Sequence, residues 1–202
     1  MTRRAEQVDE TRQRITEAAV RLHTTVGPAH SSIAAIAEEA GVTRLTLYRH
    51  FADLDALFEA CRAHWSAQNP RPDAGAWQEI PRLQERARRA FGELYGWYRD
   101  HADELYPINR DTAAMPLSAQ QATETGNRML ADALLAAHAG ADADTGTDGD
   151  GRLLRAVARH LVDFLTWRSL VIGQGLTDRE AVDVAIRLLT AIDEDRQPLP
   201  RR

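Results

Sequence analysis

Apolar residues in this chain recur at spacings of three and four, and almost nowhere do they alternate with polar ones. Ile15, Ala18, Ala19, Leu22 and Val26 fall at i, i+3, i+4, i+7 and i+11. That places them on one face of a helix, and Gly27-Pro28 then stops it. The same rule holds for Ile33, Ile36, Ala37 and Ala40, before Gly41. It holds again for Leu54, Leu57, Phe58, Cys61 and Trp65 after Asp53. With no strand-like alternation to set against this, the chain reads as all-α, with about nine helices.

Breakers divide the pattern. The run Gln68-Asn-Pro-Arg-Pro-Asp-Ala-Gly75 joins an N-terminal domain, 1–68, to a larger helical one, 76–196. Beyond it the spacing predicts a helix from about Trp77 to His101, then an irregular stretch around Tyr106-Pro107 and Met115-Pro116. A helix to about Ala139 follows, with Ser118 and Gln121 as a capping box. Next come a mobile acidic loop at 140–151, a helix at 152–173, and a last helix at 177–195 opened by a Thr177/Glu180 capping box. The tail from Gln197 reads as frayed.

Charge narrows the partners. The net charge is −5, so bulk basicity attracts no polyanion. All 25 basic residues are Arg, and residues 1–70 carry 8 of them against 9 Asp and Glu. Any nucleic-acid contact must therefore rest on a local patch. The N-terminus is polar and reads as lacking a signal peptide, and no apolar run is long enough to cross a bilayer. The lone cysteine, Cys61, fits a reducing, cytoplasmic setting.

The segment Ser32 to Phe51 carries the function. Ser32 and Thr43 are placed to cap two short helices. Ala37 allows them to cross closely, Gly41 permits a left-handed turn between them, and Val42 plugs the corner. Leu47 and Phe51, at i and i+4, point back into a small core with Ile15, Leu22 and Ile36. At about 100° per residue the other face of the second helix turns outward. That face offers Arg44, Leu45, Thr46, Tyr48, Arg49 and His50. Forked donors suit guanine, a hydroxyl suits either base type, and an apolar group suits a thymine methyl. The order is that of a helix-turn-helix spanning 32–51.

These residues carry a resemblance. Ile36-Ala37, Ala40-Gly41-Val42-Thr43, Thr46-Leu47-Tyr48-Arg49-His50-Phe51 and Leu57 are similar to the DNA-binding domain of the tetracycline-repressor (TetR) family, over about residues 9–65. The resemblance implies an N-terminal three-helix DNA-binding domain and a C-terminal domain that dimerises and holds a ligand. It implies a repressor that binds a palindromic operator in double-stranded DNA as a homodimer, is released by a small-molecule effector, is not an enzyme and needs no cofactor. Two departures stand out. Leu45 replaces a small residue or Pro, and Asp53-Leu54-Asp55 occupies the place of a phosphate-holding Lys. Arg3 and Arg4, on a flexible N-terminal arm, are expected to supply part of the missing anchorage.

In the C-terminal half, helix 152–173 carries two apolar stripes. One holds Leu153, Val157, His160, Phe164, Trp167 and Val171; the other holds Leu154, Ala158, Leu161, Leu165 and Ile172. A helix apolar on two faces is buried on two sides, so with helix 177–195 it would form a two-fold interface. Phe91, Tyr95, Tyr98, Met129, His160, Phe164 and Trp167 are the candidate pocket residues for a largely apolar effector, with Tyr106 and Met115 as further soft or aromatic groups. The Asp-rich stretch from Asp142 fails as a calcium loop, because Leu153 stands at its twelfth position. Cys61 and His64 share a helix face without further ligands, so no metal site is expected, and no catalytic motif is found. The competing reading is an all-helical ligand-binding or enzymatic protein with a degenerate helix-turn-helix, suggested by the missing Lys and the acidic residues at 53 and 55.

Overall fold

The computed structural model describes residues 3–136 and 149–196. Among them every regular element is helical: α1 Arg3–Thr25, α2 Ile33–Glu39, α3 Arg44–His50, α4 Leu54–Gln68, α5 Ala74–Gln78, α6 Leu83–Asp100, α7 Ala102–Arg110, α8 Leu117–Leu135, α9 Gly149–Leu161, α10 Phe164–Arg168 and α11 Asp178–Arg196. No helix among them is long and apolar enough to cross a membrane.

Among the described residues eleven helices stand where about nine were expected, and the departures have local causes. Asp73 accepts from the Gly75 N–H at 2.9 Å and so starts a short helix, α5, inside the breaker-rich joint. Pro107 sits inside α7 rather than ending it. The helix expected over 152–173 is broken at Val162-Asp163 and continues through α10 into a π turn at Ser169–Gly173. The Ser118/Gln121 capping box does not form: Ser118 lies within α8, and its hydroxyl bonds the Asp55 carboxylate. The Thr177/Glu180 box does form, with Glu180 accepting from both the Thr177 N–H (2.8 Å) and its hydroxyl (2.7 Å). Residues 140–148 of the acidic loop lie outside the described residues, as does the tail from 197. Gly149–Gly151 are not loop but the first turn of α9.

The chain groups into two compact units that are not contiguous in sequence: 1–70 with 102–123, and 71–101 with 124–202. In the first, α1 is the hub against which α2, α3, α4 and α7 pack. Its core is Ile15, Ala18, Ala19, Ile36, Ala37, Leu47, Phe51, Leu57 and Cys61, with Leu22 and Val42 partly buried around them. The burial is a direct reading of the 3.6-residue period. In the second, α6 is central and packs on α5, α10 and α11, and α9 packs on α11. Its stripe of Leu83, Ala87, Ala90, Phe91, Leu94, Tyr95 and Tyr98 is buried.

The break at Asp163 is made from both sides. The buried Tyr95 hydroxyl donates to the Leu161 carbonyl at 2.9 Å, and Tyr98 donates to the Val162 carbonyl at 2.6 Å. Those are carbonyls that a continuous helix would offer to residues 165 and 166. Asp163 turns extended and its carboxylate instead takes the Leu165 N–H at 2.8 Å. Its other oxygen accepts from Asn127 at 3.0 Å. Both carbonyls and the Leu165 N–H therefore find partners despite the break, as burial requires.

Candidate nucleic-acid interface

The helix-turn-helix is assembled by its own caps. Ser32 Oγ accepts from the Ala35 N–H at 3.1 Å, and Thr43 Oγ1 accepts from the Thr46 N–H at 3.1 Å. Between the helices Gly41 takes φ +65°, the left-handed conformation that makes it Gly. The turn is closed by the Val42 N–H on the Ala37 carbonyl, 2.9 Å. Ala37 and Ala40 are buried at the crossing.

Helix α3 is then sharply two-faced. Leu47 and Phe51 are each 1% exposed, whereas Leu45 is 64% and Tyr48 52% exposed. Arg44 and Arg49 are exposed beside them, while Thr46 and His50 are half-buried. The outward face expected from the sequence is thus present. One detail differs: the Thr46 hydroxyl is shared with Thr43 at 2.9 Å, so Thr46 serves the cap as well as the surface. Seven residues hold two arginines, an exposed ring and an exposed isobutyl group, with no acid within α3. Of the acids flanking it, Glu39 is paired with Arg21 at 3.1 Å. Asp53 caps α4 through the Ala56 N–H at 2.8 Å, and Asp55 holds the Ser118 hydroxyl. Leu54, where a phosphate-holding Lys was expected, opens α4 and is 46% exposed.

Arg12 on α1 belongs to the same apparatus and was not singled out from the sequence. Its guanidinium lies 4.1 Å over the Phe51 ring and donates to the His50 carbonyl. A cation at the C-terminal end of α3 complements the helix dipole and pins the angle at which the helix leaves the core. The contact spans 38 residues, and no local pattern signals it. Arg3 and Arg4 are the first residues of α1, so the expected flexible arm is helix from residue 3 onward.

Residues 15–61 match a family model described as "Bacterial regulatory proteins, tetR family". The N-terminal domain is a TetR-family domain. The fold of the whole chain agrees. A tetR-family transcriptional regulator from Streptomyces coelicolor superposes with a TM-score of 0.61 at 18% identity, covering 91% of this chain and 80% of that one. NalD, the secondary repressor of the MexAB-OprM multidrug efflux pump in Pseudomonas aeruginosa, gives 0.54 at 20% identity over 92% and 96%. The transcriptional regulator FadR from Bacillus subtilis, in complex with stearoyl-CoA, gives 0.52 at 19% identity over 89% and 96%. A search of curated protein sequences returned no match. Residues 15–61 thus carry a TetR-type helix-turn-helix, with α3 as its second helix, and the chain as a whole shares the fold of these neighbours.

The candidate pocket residues divide in the structure. Phe91, Tyr95, Tyr98, Phe164 and Trp167 are buried and pack ring on ring. Tyr98 meets Phe164 edge-on at 5.4 Å and Trp167 at 6.0 Å, and Phe91 lies 5.5 Å from Tyr95. Burial pushes both tyrosine hydroxyls well above their ordinary pKa, so they act as donors to the backbone carbonyls of the α9–α10 break. Met129 and His160 do not join them. Met129 is 67% exposed, and His160 is exposed with its Nδ1 3.4 Å from the Thr166 hydroxyl. The break at Asp163 shifts the helical register, which separates His160 from the stripe that the sequence spacing gave it. Tyr106 and Met115 belong to the first unit.

Proposed function

We propose that the protein is a ligand-responsive transcription regulator that binds a palindromic operator as a homodimer and represses until a small-molecule effector releases it. The observation that carries this reading is the two-faced α3: a short helix held by Leu47 and Phe51, with Arg44, Leu45, Tyr48 and Arg49 turned outward. In this reading Arg44 and Tyr48 read base edges in the major groove, and Arg49 and His50 contact bases or backbone. The N-terminal ends of α2 and α3, at Ser32 and Thr43, meet phosphates, with Arg3 and Arg4 adding backbone contacts.

Homodimerisation is supported by apolar side chains left exposed on the last helices. Leu153, Leu165, Ile172 and Leu188 are between 43% and 58% exposed. They lie on α9 to α11 and the turn between, the region expected to pair across a two-fold axis. Two recognition helices must then stand about 34–36 Å apart to enter successive major grooves. An effector that prefers a dimer of different spacing lowers operator affinity by the ratio of its own affinities for the two states. Support for a sensing domain comes from neighbours of the same fold, one named as a repressor and one bound to stearoyl-CoA. The domain division at about 68–76, a cytoplasmic location and the absence of catalysis belong to the same reading. The competing reading of a degenerate module rested on the missing Lys and on Asp53 and Asp55; Leu54 does stand in the place of that Lys, but both carboxylates have structural partners.

Selection of bound sequences from random duplex DNA tests it. A palindromic motif should emerge from the wild type, and its enrichment should vanish in Arg44→Ala and Tyr48→Ala. Absence of any enriched motif at low salt would sink the proposal.

A further inference from the structure

Arg86 is fully buried on the core face of α6, an unusual place for a guanidinium. Its Nη2 donates to the Pro81 carbonyl at 3.2 Å, while Nε and Nη1 have no acceptor among the described residues. Neighbouring acids on α6 are engaged elsewhere, Glu85 with Arg82 and Glu93 with Arg89 and Trp77. Asp183, which reaches α6 from α11, pairs with Arg88. Burial alone displaces the pKa of Arg86, downward, and no carboxylate offsets it. The bond to Pro81 holds the guanidinium at the beginning of α6. There the N-cap residue, Arg82, supplies no side-chain acceptor to the first-turn N–H groups. An uncapped end of an 18-residue helix and a buried cation with two unused nitrogens therefore lie together. A buried charge without a counter-charge is costly, and both features ask for the same partner, a group with anionic oxygens.

We infer that the beginning of α6, with Arg86 Nε and Nη1 as donors, receives the oxyanion head group, carboxylate or phosphate, of the small molecule that the protein senses. This rests on the proposed sensing function and assigns its ligand a chemical class. The head group would replace the missing counter-ion. Binding would order this end of α6.

The test uses the full-length protein and four probes at equal ionic strength: benzoate, phenyl phosphate, benzyl alcohol and inorganic phosphate. Thermal unfolding of the wild type should rise by several degrees with at least one of the anionic aryl probes and not with benzyl alcohol. Which anion acts distinguishes the two head groups, and a response to inorganic phosphate alone of comparable size assigns the site to free phosphate. Arg86→Met should abolish the rise. If that variant does not fold, Arg86→Lys should retain a weaker one. An alcohol response equal to the acids, no response in the wild type, or an undiminished response in the variants overturns the inference. Operator selection run on the same variants separates the two claims. An intact motif with no anion response removes the site alone, whereas an anion response without any motif removes the regulatory reading alone.

Discussion

Gly27→Ala should be among the most damaging single-methyl changes in the N-terminal unit. Gly27 follows α1 at φ +98° and ψ 157°, a region that L side chains rarely occupy. That term alone is worth about 1–3 kcal/mol. A Cβ there would also overlap Asp111 Oδ2 and stand 2.5 Å from Arg110 Nη2. Asp111 cannot retreat freely. It is 9% exposed, bonded by Arg110 Nε at 2.7 Å, and accepts from the Ala29 N–H at 3.1 Å. Arg110 in turn donates to the Val26 carbonyl at 2.8 Å. Moving the pair sacrifices one or two charge-assisted hydrogen bonds, about 1.5–3 kcal/mol each. The expected cost is at least about 2.5 kcal/mol, a large share of a typical domain's stability. Urea unfolding measures it, and a cycle with Asp111→Ala apportions it. In the Asp111→Ala background the overlap with Asp111 is gone and the backbone term and the Arg110 contact remain, so Gly27→Ala should cost less there than in the wild type. A cost below about 1 kcal/mol in the wild type, or the same cost in both backgrounds, would refute the reasoning.

Three further outcomes follow from groups buried in the two units. His23 stacks on Phe58 at 4.6 Å, and burial lowers its pKa to about 4. Its neutral form is the folded one, so its contribution is complete above pH 6.5 and is lost as pH falls toward 4; wild type should lose about 3 kcal/mol more than His23→Phe over that window in pH-dependent urea titrations. Burial raises the Cys61 thiol to about 12, so a disulfide reagent should label it no faster than the protein opens, and labelling of the native state at the rate of a free thiol would contradict its placement. Tyr98→Phe leaves the Val162 carbonyl buried without its donor and should cost about 1–3 kcal/mol, with amide exchange accelerating first around the α9–α10 break.

The helix-turn-helix was legible almost residue by residue, because nearly everything that makes it is local. Caps reach three residues, the Gly41 turn is one backbone conformation, and Leu47 and Phe51 follow from the helical period. Arg12 was not legible, because its partners at His50 and Phe51 lie far along the chain. Neither were the second compact unit's aromatic residues correctly sorted. Periodicity carried one helix through 152–173 and placed His160 with Phe164, whereas two tyrosines from α6 claim the carbonyls of Leu161 and Val162 and break that helix.

The amino-acid sequence by itself determined the helical class, the second helix of the helix-turn-helix and which of its faces is buried, since these depend on spacings of three and four and on caps within one turn. Only the tertiary structure decided where helices end in the C-terminal half, which aromatic residues become core, and that Arg110 and Asp111 grip the turn after α1. It also decided that Arg86 is a buried cation without a counter-charge among the described residues. Those are contacts between residues distant in the chain, and a hydrogen-bond donor that arrives from another helix leaves no periodic trace in the segment it interrupts.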